Sequence, residues 1–233
     1  MKKKDERQDL RMKIKIAPSL TYADIMDLKS TLSAFELNGV DLLHIDVTDG
    51  YFTPGIISGA PLCDALHAHT AIPLDLHFAV EQPEKIIPCF NLKKGDQVAI
   101  YAESTSNLYR TISAVKKAGA KAFLALTLTT PLSVLEEALD YIDGVLLVLS
   151  EPGSSNSKIP SGAISKIERT KALLTAKGHA SMELEVQGYM SFENAAKMKK
   201  AGANIFVGDN LSVFHKDQTL AGGIVRLRNA VQS

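Results

Sequence analysis

Short, almost unbroken apolar runs alternate along the chain with longer stretches in which apolar residues return every three or four positions. The runs are IKIAPSL from Ile14, LLHIDVT from Leu42, LDLHFAV from Leu74, VAIYAE from Val98, FLALTL from Phe123, VLLVLS from Val145, MELEV from Met182 and IFVG from Ile205. Runs of this kind suit strands that are covered on both faces, as in a parallel sheet. The intervening stretches predict helices, among them Tyr22 to Asn38, Ser133 to Tyr141 and Phe192 to Ala201. Gly39, Gly119 and Gly202 fall where a left-handed residue would close a helix. Eight such βα units with no Pro/Gly/Ser-rich linker between them predict an α/β fold, a closed (β/α)8 TIM barrel in a single domain. The barrel is expected over residues 13–233, behind a charged N-terminal tail over 1–12. A doubly wound sheet is the alternative, but the G-x-G-x-x-G turn that would follow its first strand is missing.

A barrel of this type carries its active site at the C-terminal ends of the strands, so polar residues late in an apolar run are the candidates for chemistry. In LLHIDVT, His44 and Asp46 share one face because side chains alternate along a strand, while Ile45 and Val47 face the helices. His77 holds the corresponding place in LDLHFAV, Ser19 ends the first run and Gln187 ends the seventh. Two imidazoles and a carboxylate converging on the mouth form a ligand set for one divalent metal ion, Zn, Fe or Mn. Each histidine taken alone reads better as a hydrogen-bonded core residue, and the convergence of three groups is what reverses this in favour of a metal. His67 and His69, two apart on an expected helix, are placed at the surface together with His179 and His215.

Composition acts mainly by exclusion. Lys and Arg number 26 against 26 Asp and Glu, so no global field draws the chain to nucleic acid or to a membrane surface. The two cysteines, Cys63 and Cys89, form neither a disulfide framework nor a zinc pattern, which fits a reducing cytoplasm. The segment MKKKDERQDLRMK lacks the apolar stretch of a signal peptide, and no run is long enough to span a bilayer. The expectation is a soluble cytoplasmic protein with local recognition of a small ligand.

The stretches IAPSL, HIDVTDGYFTP, PLDLHFAVEQPE and LEVQG, with AESTSN after the fourth run, TTPL before the fifth helix and EPG after the sixth run, resemble the ribulose-phosphate 3-epimerase family. The resemblance covers the chain from about Ile14 to Phe214. It implies a homo-oligomeric barrel that inverts C3 of a phosphorylated ketose by taking a proton on one face and returning one on the other. In the family two aspartates flank that carbon, and a divalent metal held by two histidines and the same aspartates stabilises the enediolate. Carried over, His44, Asp46 and His77 match three ligands, Asp46 matches one acid/base, and Ser19 matches a serine near the substrate. The chemistry needs these types, because a proton next to a carbonyl is too weakly acidic for a bare carboxylate and must be made more acidic by a Lewis acid.

Departures from the family pattern cluster at the site. The second aspartate is Gln187 here, which keeps an oxygen ligand for the metal but is no acid, and methionines that usually line the pocket are Thr48, Ala79 and Val148. The glycine-rich phosphate loop reads PGSSNSK, leaving Gly153, Ser154, Ser155, Gly188 and Gly208 as the expected phosphate and substrate contacts. Asp209 stands where a small neutral residue is usual, and a carboxylate there would repel a phosphate dianion unless turned away. The sequence therefore predicts a metal-dependent sugar-phosphate 3-epimerase with an altered second acid/base. A one-base ketose/aldose phosphate isomerase and a non-catalytic sugar-phosphate-binding paralogue are the alternatives.

Overall fold

The computed structural model describes residues 12–150 and 158–232, so the expected tail, apart from Met12, and Gly153, Ser154 and Ser155 lie outside the described residues. Eight parallel strands among them follow the eight apolar runs: β1 (Lys15–Pro18), β2 (Leu43–Asp49), β4 (Leu74–Ala79), β5 (Gln97–Tyr101), β6 (Lys121–Thr127), β7 (Gly144–Val148), β8 (Glu183–Gln187) and β9 (Ile205–Gly208). A two-residue strand, β3 (Ile56–Ile57), folds back antiparallel on the end of β2. The sheet runs in the order β1-β9-β8-β7-β6-β5-β4-β2-β3. Its two ends meet, because Ser19 bridges to His44 in parallel and the Ile16 carbonyl accepts the Leu42 amide at 3.3 Å. The closed barrel expected from the repeat is thereby formed.

Helices α1 (Leu28–Leu37), α2 (Ala60–His69), α3 (Pro83–Ile86), α4 (Leu108–Lys117), α5 (Ser133–Glu136), α6 (Ala163–Ala176), α7 (Phe192–Lys200) and α8 (Leu220–Gln232) surround the sheet. Gly39, Gly119 and Gly202 follow α1, α4 and α7 with φ of +62°, +93° and +115°, the left-handed caps expected of them. Two helices differ from their expected spans. The stretch from Tyr22 begins as 3-10 turns and becomes α-helical only at Leu28, because the Asp24 side chain takes the Met26 amide at 2.9 Å and competes with the helical pattern. The helix expected to reach Tyr141 stops at Glu136, and the bonds Ala138 N to Leu135 O and Tyr141 N to Ala138 O continue it as tighter turns.

Two apolar layers result from the alternation along the strands. Ile45, Val47, Leu76, Phe78, Ile100, Leu124, Leu147, Val186 and Phe206 face outward into the layer shared with the helices. Ala17, Ala79, Ala99, Tyr101, Phe123, Ala125, Leu146, Val148 and Ile205 fill the barrel itself. The interior is tight: a Cβ on Gly144 would lie 2.3 Å from the Phe123 ring, which is the neighbour of Gly144 across β6 and β7. Parallel register puts Asp46 opposite His77 and His44 opposite Asp75, which in turn faces Gln97. Polar side chains thus stack in two levels inside β2, β4 and β5.

Candidate active site

Asp46 is the focus of the upper level. Its Oδ1 lies 3.3 Å from His44 Nε2 and 3.1 Å from His77 Nδ1, and accepts a hydrogen bond from Gln187 Nε2 at 3.0 Å. Its Oδ2 accepts from the Ser19 hydroxyl at 3.3 Å and the Thr21 hydroxyl at 3.0 Å. The side chain is 17 % exposed, whereas His44 and His77 are 0 % and 4 %, so Asp46 is the member of the group that reaches the solvent-facing mouth. Burial by itself would raise the Asp46 pKa, but the charge and hydrogen bond of His44, with those of His77, hold the carboxyl well below the usual carboxylate range. All four residues singled out in the sequence for metal or proton chemistry, His44, Asp46, His77 and Gln187, are brought together, and Ser19 with them.

The lower level is a sealed polar cluster that sequence reading did not single out. His44 Nδ1 donates to Asp75 Oδ2 at 2.6 Å, and Gln97 Nε2 bridges Asp75 Oδ1 and Glu185 Oε2, both at 2.9 Å. Burial opposes a charge on His44, yet Asp75 and Asp46 outweigh it and raise the imidazole pKa well above its ordinary value. Glu185 is pushed well above the carboxylate range by burial and by the Asp75 charge, while Asp75 is held down by His44 despite its own burial. One carboxylate and one carboxylic acid therefore share this space. The result for the site is a fixed ring: with Nδ1–H committed to Asp75, Nε2 of His44 is directed at the Asp46 corner, where the protonated ring donates to Asp46 and would offer a lone pair to a metal only on losing that proton. The alternation His44/Asp46, Asp75/His77 and Glu185/Gln187 was the signal available in the sequence, since each pair is two residues apart on one strand.

Other walls of the mouth depend on loops. The Asp49 carboxylate accepts the Tyr51, Phe52 and Glu81 amides at 2.8, 2.9 and 2.7 Å, tying the turn after β2 to the turn after β4. Phe52 then packs on Tyr101 with ring centroids 4.9 Å apart, and Tyr101 lies 5.1 Å from the His77 ring. Ala79 and Val148 stay in the barrel interior with Tyr101, but Thr48 is used elsewhere, donating to the Gly55 carbonyl and accepting the Ile57 amide in the β2–β3 hairpin. Gly188 and Gly208 end β8 and β9 against their own chain: a Cβ on Gly188 would meet Ser150 Oγ at 2.5 Å, and one on Gly208 would meet Val213 Cγ2 at 2.5 Å. His67, expected at the surface, is instead tucked in, its side chain 7 % exposed with Nε2 3.0 Å from Asp96, whose carboxylate also takes the Leu74 and Lys93 amides. That buried acid draws the ring inward at the end of the barrel away from the mouth. His69 is exposed as expected.

The upper level has the composition of a divalent-metal site. Ligand-type atoms from His44, Asp46 and His77 lie within 4.8 Å of one another. Two further buried atoms of the same group, His77 Nε2 and Gln187 Oε1, have no hydrogen-bond partner within the protein. Leaving Gln187 Oε1 unsatisfied costs about 1–3 kcal/mol, a deficit that a coordinated cation would relieve, whereas His77 turns Nδ1 and not Nε2 toward Asp46. His44, Asp75 and Glu185 also approach one another closely enough for a metal, but all three are fully buried beneath the first group and engaged in the network described above.

Fold and site together define a (β/α)8 barrel with a His/Asp/His metal-type centre at the C-terminal mouth. The chain matches the ribulose-phosphate 3 epimerase family over residues 15–212. It is 35% identical over 213 residues to the ribulose-phosphate 3-epimerase of Bacillus subtilis, covering 91% of this chain and 98% of that one. It is 36% identical over 204 residues to the chloroplastic ribulose-5-phosphate-3-epimerase of Arabidopsis thaliana, covering 87% and 72% of the two chains. Among solved structures, a mutant tryptophan synthase α-subunit from Pyrococcus furiosus superposes with a TM-score of 0.64 at 15% identity, covering 94% of this chain and 99% of that one, a likeness of fold alone. The chain belongs to the ribulose-phosphate 3-epimerase family. Among the described residues no helix is long and apolar enough to cross a membrane.

Proposed function

We propose that this chain is a metal-dependent isomerase that removes the proton from the carbon next to the carbonyl of a ketose, with Asp46 as the base. The observation that supports the reading is the position of Asp46 Oδ1, the common neighbour of His44, His77 and Gln187 at the mouth. His44, Asp46 and His77 would hold one divalent ion, with the Gln187 amide oxygen as a further ligand atom. When bound, that ion would polarise the substrate carbonyl and acidify the adjacent C–H. Asp46, ionised and partly exposed at the mouth, accepts the proton. Ser19 and Thr21 orient the carboxylate through its Oδ2. His44, its tautomer fixed by Asp75, holds the inner edge of the site.

Gln187 sets the limit of the chemistry. A carboxamide neither gives nor takes a proton near neutral pH, so it can place a ligand atom or a hydrogen bond but cannot protonate the opposite face of the carbon. The activity for which the relatives are named, epimerisation of ribulose phosphate, comes to this chain as exchange on one face, with inversion weak or absent. A one-base ketose/aldose isomerase fits the same residues, because it needs only Asp46.

Metal analysis of the purified protein, with solvent-deuterium exchange on a panel of free and phosphorylated pentuloses and hexuloses, tests this. One transition-metal ion per chain and deuterium at the carbon next to the carbonyl, with configuration retained, is the expected result. Inversion of ribulose 5-phosphate at an ordinary enzymatic rate, roughly 1 to 10³ per second, would overturn the role given to Gln187.

A further inference from the structure

The turns after β8 and β9 come together beside the site. After β8, Gly188 and Tyr189 are both left-handed, with φ of +98° and +54°, a conformation that a tyrosine adopts only when its surroundings impose it. Asn194 Nδ2 holds the Tyr189 carbonyl at 2.9 Å, and the next amide, Met190 N, points across to the turn after β9. Barrels of this fold commonly seat a phosphate on the amides of these two loops, where several N–H groups converge and no side chain intervenes. Here the place is already taken. Asp209, 7 % exposed, accepts the Met190 amide on Oδ2 at 3.0 Å and the Leu211 amide on Oδ1 at 2.8 Å.

Asp209 is also close to the chemistry. The Gly208 carbonyl accepts the Ser19 amide at 2.9 Å, and the Ser19 hydroxyl bonds Asp46. The Tyr22 phenol, raised chiefly by partial burial, is raised further by the charges of Asp209 and Asp46. A carboxylate that already takes these two amides removes them as donors for a dianion and repels one.

We propose that Asp209 sets specificity at the far end of the substrate: as a built-in anion it closes the loops after β8 and β9 to a phosphate ester and directs the enzyme to ketoses that end in a free hydroxyl. The proposal rests on the reading of the mouth as a ketose site, and names the class of ketose. It requires Asp209 to discriminate against phosphate, a property that a purely structural tie between the two turns would not have.

The test uses the metal-loaded full chain with two variants, Asp209→Ser and the isosteric Asp209→Asn, which keeps an acceptor for one of the two amides and removes the charge. Inorganic phosphate is titrated while the Met190 and Leu211 amide resonances are followed by NMR, and hydrogen exchange of D-ribulose and D-ribulose 5-phosphate is compared in competition. The expected result is a phosphate Kd weaker than about 10 mM in the unaltered protein, tightened by about tenfold or more in Asp209→Ser, with the exchange preference moving toward the phosphate ester by a similar factor. Tight phosphate binding by the unaltered protein, or folded variants whose phosphate affinity and substrate preference do not change, would overturn it. If Asp209→Ser does not fold, Asp209→Asn decides. If neither ketose exchanges hydrogen, the proton-transfer reading fails, while the amide titration still decides the role of Asp209.

Discussion

Replacing Gln187 by aspartate restores a second acid, and the geometry sets what that substitution costs. Gln187 Nε2 stands 3.0 Å from Asp46 Oδ1, so a carboxylate there brings two anions together. At that separation and an effective dielectric of about 20 they repel by roughly 5 kcal/mol. Uptake of a proton caps the penalty, since holding an aspartic acid neutral at pH 7 costs about 4 kcal/mol. The shorter side chain and the 17 % exposure of Asp46 reduce it further, so about 2–4 kcal/mol is expected for metal-free protein. For a chain of 233 residues this corresponds to a fall in Tm of about 4–16 °C in the presence of a chelator. A divalent ion between the two carboxylates removes the repulsion, so Zn²⁺ or Mn²⁺ should stabilise Gln187→Asp more than the unaltered protein, and inversion at C3 should rise by about tenfold or more. Differential scanning calorimetry with and without metal, followed by NMR of the sugar products, reads both effects. Equal Tm values for the two proteins in chelator, or equal stabilisation of both by metal, would refute the placement of Gln187 beside Asp46 at a cation site.

Further substitutions test the layers beneath. Asp75→Asn removes the charge that holds His44 Nδ1 at 2.6 Å and should weaken metal affinity by about 10- to 100-fold in a chelator competition; undiminished affinity would mean that His44 is not held through Asp75. Glu185 binds its proton more tightly in the folded chain than in the unfolded one, so its contribution to stability is lost as pH rises from the unfolded carboxyl's range near 4.5. Glu185→Gln lacks that loss, and the difference in Tm between variant and unaltered protein, both metal-free, should move in the variant's favour between pH 5 and pH 8; a pH-independent difference would contradict a protonated Glu185. Gly144→Ala drives a methyl into the Phe123 ring inside the barrel and should destabilise by about 1–3 kcal/mol in denaturant melts, whereas an unchanged midpoint would show that the interior yields.

Much of this architecture is legible in the sequence because strands covered on both faces cannot afford polar residues without a use for them. The eight apolar runs mark the strands, and the period of two marks His44 with Asp46 as an inward pair. Gln187 is placed by the same logic and lies where expected. The rule was available for Asp75 and Glu185 too, but an acid deep in an apolar run gives no sign of its partners, and the Gln97 bridge that joins them comes from a third strand. Thr21, Phe52 and Tyr101 were not foreseen because their contacts depend on the paths of loops, set in part by Asp49 gathering three amides. Asp209 shows both sides of this. Its unusual identity is plain in the sequence, but only the structure shows its carboxylate taking the Met190 and Leu211 amides.

The role of Asp46 as the base at a metal centre is tested most directly by one comparison, the rate of solvent-deuterium incorporation next to the ketose carbonyl by metal-loaded unaltered protein and by metal-loaded Asp46→Asn. Metal content is measured on the same samples, because Asp46 is also a ligand. The account predicts exchange by the unaltered protein and a loss of about 10²- to 10⁴-fold in the variant at equal metal occupancy. Exchange at an unchanged rate in Asp46→Asn, or none by fully metal-loaded unaltered protein on any free or phosphorylated ketose of the panel, would contradict it.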